Sequence, residues 1–332
     1  MHYHAIAFTA REQAELTVLE ETGTLAPHEV RGRTLYTLIS PGTELASGYQ
    51  GLRYQGTASY PTYPGYAAVF EVEEVGAEVQ THHPGDIVFC MGRHQSRQRL
   101  HARDTVAAPP GLIPLHVPLA RLMGVSMTTL MTTAARPGDR VLVTGAGPVG
   151  YLGAQLFRHA GYEVYVIEPH AGRRAIAAQS GIAGVFASMP LNDPAMKDRV
   201  ALVVECSGHE QAVLDACRIV RPKGEVVLVG VPWRRQTEIT AHAVLAEVFH
   251  RYVVLRSGWE WEVPHHADAF RPYSIFGGYE RALKWLSEGH IPVEGLIKVV
   301  SPTEAQQAYR DLLDLRDTGT LFTIFDWSQL SD

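Results

Sequence analysis

Residues 140–170 read RVLVTGAGPVGYLGAQLFRHAGYEVYVIEPH, and this stretch decides the fold. Val141-Leu142-Val143 is a short apolar run of the kind that makes a fully covered strand. Gly145, Gly147 and Gly150 follow with the spacing G-x-G-x-x-G, and Val149 to Ala160 carries a helical pattern closed by Gly161. A second strand, 163–167, delivers Glu168, 23 positions beyond Gly145. In such a unit one glycine makes the tight turn, a second lets backbone approach a pyrophosphate, and a third lets helix pack on strand. Pyrophosphate would meet the free N–H groups of the helix start, from Val149 on and beside Pro148, and Glu168 would accept hydrogen bonds from ribose hydroxyls. Spaced glycines alone mark many turns; strand, helix and acid in this order predict a nicotinamide dinucleotide site. A carboxylate at Glu168 repels a 2′-phosphate, so NAD(H) is expected over NADP(H); Arg173 and Arg174 just beyond could grip such a phosphate, but a solvated helix start or packing along the adenine face is favoured for them.

Outward from this unit, helical and strand-like segments alternate: 118–134, 140–143, 149–160, 163–167, 172–180, 201–205, 209–220, 225–229 and 252–256. That alternation predicts a doubly wound parallel sheet, with ligand at the carboxyl ends of its strands. Cys206 and Ser207 after one strand, and Gly230 and Val231 after another, are therefore expected to line the cofactor site. Before Val117 the chain is strand-prone and turn-rich, with runs at 30–39, 67–75 and 86–91 punctuated by Pro41-Gly42, Pro64-Gly65 and Pro84-Gly85. After Gly258 come two helical segments, 279–288 and 303–314, and a strand, 320–326. Three elements make a poor domain, so they are expected to return to the first one. The expected division is 1–122, 123–258 and 259–332, an α/β architecture of a Rossmann domain plus a mostly β domain completed by the C-terminal segment.

A chain of 332 residues suits two domains. The net charge of −6 offers no basic footprint for nucleic acid. Three cysteines cannot make a disulfide framework, no leader pattern opens the sequence, and no apolar run is long enough to span a bilayer. A cytoplasmic protein with a small-molecule substrate, and with neither nucleic acid nor membrane as partner, is expected.

The ordered motifs Pro64-Gly65, Pro84-Gly85-Asp86-Ile87-Val88, Pro137-Gly138-Asp139-Arg140, Glu205-Cys206-Ser207-Gly208, Arg221-Pro222-Lys223-Gly224-Glu225 and the tail from Glu304 to Phe325 resemble the medium-chain dehydrogenase/reductase superfamily. The resemblance implies a GroES-like catalytic domain, hydride transfer at nicotinamide C4, a homodimer or homotetramer joined through the edge strand near 252–256, and contact of Thr129 with the nicotinamide ring.

Departures from the family narrow the chemistry. Zinc-dependent members carry ligands where this chain reads Pro41-Gly42-Thr43-Glu44, Gly65-Tyr66-Ala67 and Gly124-Val125-Ser126. Pro and Val have no ligand atom and Tyr is a poor zinc ligand; the four clustered cysteines of the structural zinc lobe are missing from 91–103 as well. No zinc is expected, and the resemblance gives Glu44 no chemical role. Without a Lewis acid, a general acid and hydrogen-bond donors must stabilise the developing alkoxide. The resemblance places His94, Tyr66 and Thr43 as the candidates, with His94 and Tyr66 ahead as proton donors. Tyr49, Arg53, Tyr54, Arg93, Arg97, Trp259 and Trp261 are expected to border the substrate. An alcohol/ketone oxidoreductase acting on a sugar, polyol or biosynthetic intermediate is favoured. An enoyl or quinone reductase and a non-catalytic dinucleotide sensor stand as alternatives.

Overall fold

The computed structural model describes residues 2–316 and 319–330. The chain divides into two compact units. One comprises Met1–Arg121, Tyr279–Gly289 and Val293–Asp332; the other comprises Leu122–Gly278 and His290–Pro292.

The second unit is built on six parallel strands: β8 (Arg140–Thr144), β9 (Glu163–Ile167), β10 (Gly184–Phe186), β11 (Val200–Glu205), β12 (Val220–Leu228) and β13 (Val254–Ser257). Their order in the sheet is β10-β9-β8-β11-β12-β13. The chain starts in the middle and winds outward both ways, so the topological switch lies between β8 and β11. Every residue of β11 is buried, and β8 is buried from Val141 to Thr144, as strands covered on both faces must be. The connecting helices are α2 (Pro148–His159), α3 (Ala171–Gln179), α4 (Glu210–Ile219) and α5 (Ala241–Arg251), and α1 (Leu119–Thr132) leads into the sheet. Val141, Val143, Phe157, Val164, Val166, Leu202 and Val204 share one core cluster, while Leu142, Val200, Val203, Ile219 and Val226 share another.

The other unit is mostly β. Strands β1 (His2–Ala10) and β2 (Gln13–Glu20) form a hairpin. A larger sheet joins β3 (Glu29–Leu38), β4 (Ala68–Val75), β5 (Ile87–Cys90), β6 (Arg97–His101) and β7 (Thr105–Ala107) to β14 (Ile297–Val300) and β15 (Phe322–Asp326). Its order is β14-β15-β3-β4-β5-β7, with β6 also on β3. The pairing of Ile324 with Leu38 is what brings the end of the chain back to its beginning. Helix α6 (Ile275–Ser287), from Tyr279 on, and helix α7 (Ala305–Leu313) belong to the same return.

The helix and strand expectations hold for the alternating region to within a few residues except at the start of β12, while helix α5 and strands β2, β6, β7, β10 and β14 have no counterpart in the sequence reading. β10 is three residues long and half-buried, and β6 reads RQRLH, so neither carries an apolar pattern. The sequence reading put residues 259–278 with the C-terminal segment. Here they cluster with the parallel-sheet unit, which they enter through Gly258, whose N–H donates to Leu228 O. Among the described residues no helix is long and apolar enough to cross a membrane.

Candidate functional site

In the α/β unit the glycine turn joins β8 to α2, and its three glycines have different reasons to be glycine. Gly145 has φ +82°, a conformation that disfavours any Cβ. A Cβ on Gly150 would run into the carbonyl oxygen of Gly145, so helix and strand close only over a hydrogen. Gly147 is different: its backbone is extended, and a Cβ there would meet only the Arg173 guanidinium, at 3.8 Å. Nothing in the protein's own packing demands glycine at 147. The open space above it, at the start of a helix whose first N–H groups have no side-chain cap, fits an approaching pyrophosphate.

Glu168 sits at the end of β9, 5% exposed. Its Oε2 accepts from Ala146 N–H at 2.7 Å and its Oε1 from His170 N–H at 2.8 Å, so the acid ties the glycine turn to the start of α3. Each carboxylate oxygen keeps a second lone pair for a ribose hydroxyl. Arg174 caps the Glu168 carbonyl at 3.0 Å.

The turn after β11 is organised by a residue the sequence reading passed over as a mere strand end. Glu205 is fully buried and accepts from Thr144 Oγ1, from Ser207 N and Oγ, and from Gly208 N. Its backbone oxygen accepts from Val229 and Gly230. Burial pushes its carboxyl above the ordinary value, against those hydrogen bonds. One side chain thus fixes the ends of β8, β11 and β12, placing Ser207, Gly230 and the half-exposed Val231 near one another. Cys206 packs against the core, and burial, with Glu205 beside it, raises its thiol well above the ordinary value, which makes it a poor nucleophile. Thr129 on α1 is fully buried, and its Oγ1 has no hydrogen-bond partner among the described residues.

In the mostly β unit, Pro41–Thr43 forms a single turn of helix that runs into a wider turn, Glu44–Tyr49. That turn directs Glu44 inward, 4% exposed, where its Oε1 accepts from Ser40 N–H at 2.8 Å. Its Oε2 lies 2.9 Å from His94 Nε2 and accepts from the Tyr309 hydroxyl at 2.6 Å. His94 is fully buried; its Nδ1 lies 2.7 Å from Thr37 Oγ1, which in turn accepts from Trp327 Nε1 at 2.8 Å. A neutral ring satisfies every group if Nε2–H donates to Glu44 and the Thr37 hydroxyl donates to Nδ1. Both ring nitrogens are therefore engaged inside the protein. Burial, with Glu44 next to it, holds the Tyr309 phenol well above the ordinary value.

Tyr66 stands at the edge of this network. Gly65, at φ +98°, lies against His94, whose N–H donates to Pro64 O at 3.0 Å; this fixes the turn that carries Tyr66. The Tyr66 hydroxyl donates to Ser40 Oγ, and Thr43 also bonds it. The Arg121 guanidinium stacks on the Tyr66 ring, 4.7 Å from its centroid. Burial raises the phenol above the ordinary value; Arg121 opposes this, Glu44 adds to it, and the Ser40 and Thr43 hydroxyls hold it back.

Thus Tyr66 and Thr43 come together, His94 lies behind them, and Glu44, expected to do nothing, is the hub. The aromatic and cationic rim needs correction. Tyr49 is fully buried, stacked on Tyr309 and edge-on to Phe8, and Arg97 is buried in an ion pair with Glu73 on the sheet. Arg53 is spent on the carbonyls of Ser47 and Leu52.

A zinc ion would need three or four thiolate, imidazole or carboxylate donors. Pro41 and Val125 offer no donor atom, and Tyr66 is already bonded to Ser40. Among the described residues no three His, Cys, Asp or Glu side chains converge. The donor set at these positions does not fit zinc.

The zinc-binding dehydrogenase family profile matches residues 148–260. The L-galactonate-5-dehydrogenase of Escherichia coli (strain K12) is 28% identical over 133 residues, 36% of this chain and 37% of that protein. The 2-dehydro-3-deoxy-L-galactonate 5-dehydrogenase of Pseudoalteromonas atlantica (strain T6c / ATCC BAA-1087) is 27% identical over 242 residues, 71% of this chain and 62% of that protein. The chain thus spans less than two thirds of the length of these curated relatives. The crystal structure of galactitol-1-phosphate dehydrogenase from Escherichia coli superposes with a TM-score of 0.82 at 18% identity, covering 97% of this chain and 99% of that one. This last likeness speaks to the fold. The profile and the two curated relatives support the zinc-type alcohol dehydrogenase-like, medium-chain superfamily that the motifs resemble.

Proposed function

We propose that this chain is a metal-independent oxidoreductase that passes hydride between C4 of NAD(H) and an alcohol or ketone carbon, with Tyr66 as the proton donor and acceptor. The observation that carries the cofactor half is Gly147, a glycine required by nothing in the protein, lying open between Glu168 and the start of α2. Bound there, the dinucleotide would supply the hydride; Gly145, Gly147, Pro148, Val149, Gly150 and Glu168 would hold it, joined by Thr129, Arg173, Cys206, Ser207, Gly230 and Val231. The buried carboxylate of Glu168 favours NAD(H) over NADP(H).

For the proton, the half-buried Tyr66 phenol is kept neutral by its surroundings and is oriented by Ser40 and Thr43. It donates to the substrate oxygen as hydride arrives at carbon. His94 acts through Glu44, whose grip on the Ser40 N–H positions Ser40 beneath the Tyr66 hydroxyl. The names of the two sugar-acid dehydrogenases and of galactitol-1-phosphate dehydrogenase support a polyhydroxylated substrate. The edge strand β13, with Val254 45% exposed and Tyr252 just before the strand 69% exposed, supports pairing of two copies.

The test uses NADH deuterated at C4 with a panel of aliphatic, aryl and hydroxy ketones. Deuterium on the carbinol carbon of the product supports the reading. Deuterium delivered only to the β-carbon of an activated alkene moves the chain to the enoyl-reductase alternative.

A further inference from the structure

We propose that Arg121 and Tyr66 form a single acid–base unit, in which the buried guanidinium of Arg121 supplies the positive charge that lets Tyr66 release and recover its proton. The inference rests on the reading of Tyr66 as proton donor and assigns a role to a residue whose position in the sequence suggested only a helix start.

Arg121 lies in the first turn of α1, 6% exposed. Its Cζ lies 4.7 Å from the centroid of the Tyr66 ring and 5.9 Å from that of Tyr279. Tyr279 packs edge-on to Phe89 and donates to Met91 Sδ, so it forms a fixed floor for the guanidinium. The groups facing Tyr66 are Arg121 on one side and, on the other, Glu44 with its partners His94 and Tyr309.

The chemistry requires such a cation. When ketone is reduced, hydride from the dinucleotide forms the new C–H bond, and the Tyr66 O–H bond breaks to give the alcohol O–H. A phenolate remains on Tyr66 until solvent returns a proton. Burial disfavours that phenolate, and the Glu44 carboxylate repels it. Arg121 is the one cation stacked on the ring among the described contacts, and a guanidinium keeps its charge at any pH the enzyme meets. It meets electrostatically the demand that zinc meets in metal-dependent relatives, without coordinating any substrate atom. Arg121 is therefore a positioning and charge-supplying residue, and Tyr66 is the group that touches substrate.

The test uses the full chain carrying 3-fluorotyrosine, with the Tyr66 resonance assigned by its loss in Tyr66→Phe. Ionisation is followed by fluorine NMR in the wild type, Arg121→Lys, Arg121→Met and Arg121→Gln; the last two remove charge with different packing, so one reports if the other does not fold. Loss of the cation should move Tyr66 ionisation to higher pH and cut ketone turnover at neutral pH by at most about tenfold for each unit of that movement, with KM for NADH unchanged; Arg121→Lys should restore most of both. Identical Tyr66 titration in the wild type and both neutral variants would overturn the pairing. Failure of the functional reading looks different: Tyr66 ionisation still responds to Arg121, yet the wild type oxidises no NADH with any ketone.

Discussion

His94 Nε2 lies 2.9 Å from Glu44 Oε2, and neither side chain reaches solvent. Removing one member leaves a buried hydrogen-bonding group of the other without its partner, which costs about 1–3 kcal/mol. Glu44→Ala should cost more than His94→Ala, because Ser40 N–H and the Tyr309 hydroxyl lose their acceptor as well. Denaturant unfolding of both variants checks the order. Equal midpoints with the wild type would mean that the network carries no stability.

The glycines of the turn should separate by function. In Gly150→Ala the added methyl collides with the Gly145 carbonyl, so stability falls by about 1–3 kcal/mol. In Gly147→Ala the methyl meets nothing but the flexible tip of Arg173, so thermal stability should stay at the wild-type value. NADH affinity should nevertheless fall on the order of tenfold or more, a loss of about 1.4 kcal/mol per decade. Thermal melts beside fluorescence titration with NADH separate the two effects. An unchanged NADH affinity in Gly147→Ala would remove the pyrophosphate from this position.

Glu168 should set the choice of dinucleotide. Glu168→Ala removes the acceptor for Ala146 and His170 N–H together with any bond to the ribose. NADH binding should weaken while NADPH binding does not, because repulsion of the 2′-phosphate goes with the carboxylate. The ratio of the two dissociation constants reports this directly, and a ratio unmoved by the substitution contradicts the assignment.

Glu205 should leave a trace in the pH dependence of stability. Burial raises its carboxyl in the folded state, so the folded protein holds this proton more tightly than the unfolded chain does. The stability that this group contributes is fully present below the ordinary carboxylate range and is lost as pH rises through the raised value. Compared with Glu205→Gln, which does not titrate, the wild type should gain stability as pH falls from 7 toward 4. Parallel stability curves for the two proteins would show that the group is not perturbed.

The parallel-sheet unit was legible in the sequence because its evidence is local: strand, turn, helix and acid succeed one another within 140–170, and the apolar runs in β8 and β11 announce a sheet covered on both faces. The mostly β unit was legible in outline only. Its central network joins Glu44 to Tyr309 across 265 positions and Thr37 to Trp327 across 290, distances over which periodicity carries no signal. Glu44 was set aside because its family position serves a metal; the structure puts a histidine and a tyrosine on it instead. Tyr49 looked like a loop aromatic because polar and glycine residues flank it, yet it enters the core beside Phe8. Arg121 sits in an apolar helix start, and only the fold lays it on the Tyr66 ring.

The central claim is metal-independent carbonyl reduction, and the most direct measurement follows NADH oxidation by the purified chain with matched ketones and activated alkenes, with and without a strong chelator. The account predicts consumption with a ketone at the same rate in both conditions, cut on the order of 10²-fold or more in Tyr66→Phe. Consumption that the chelator abolishes, or that occurs only with an alkene, would contradict it.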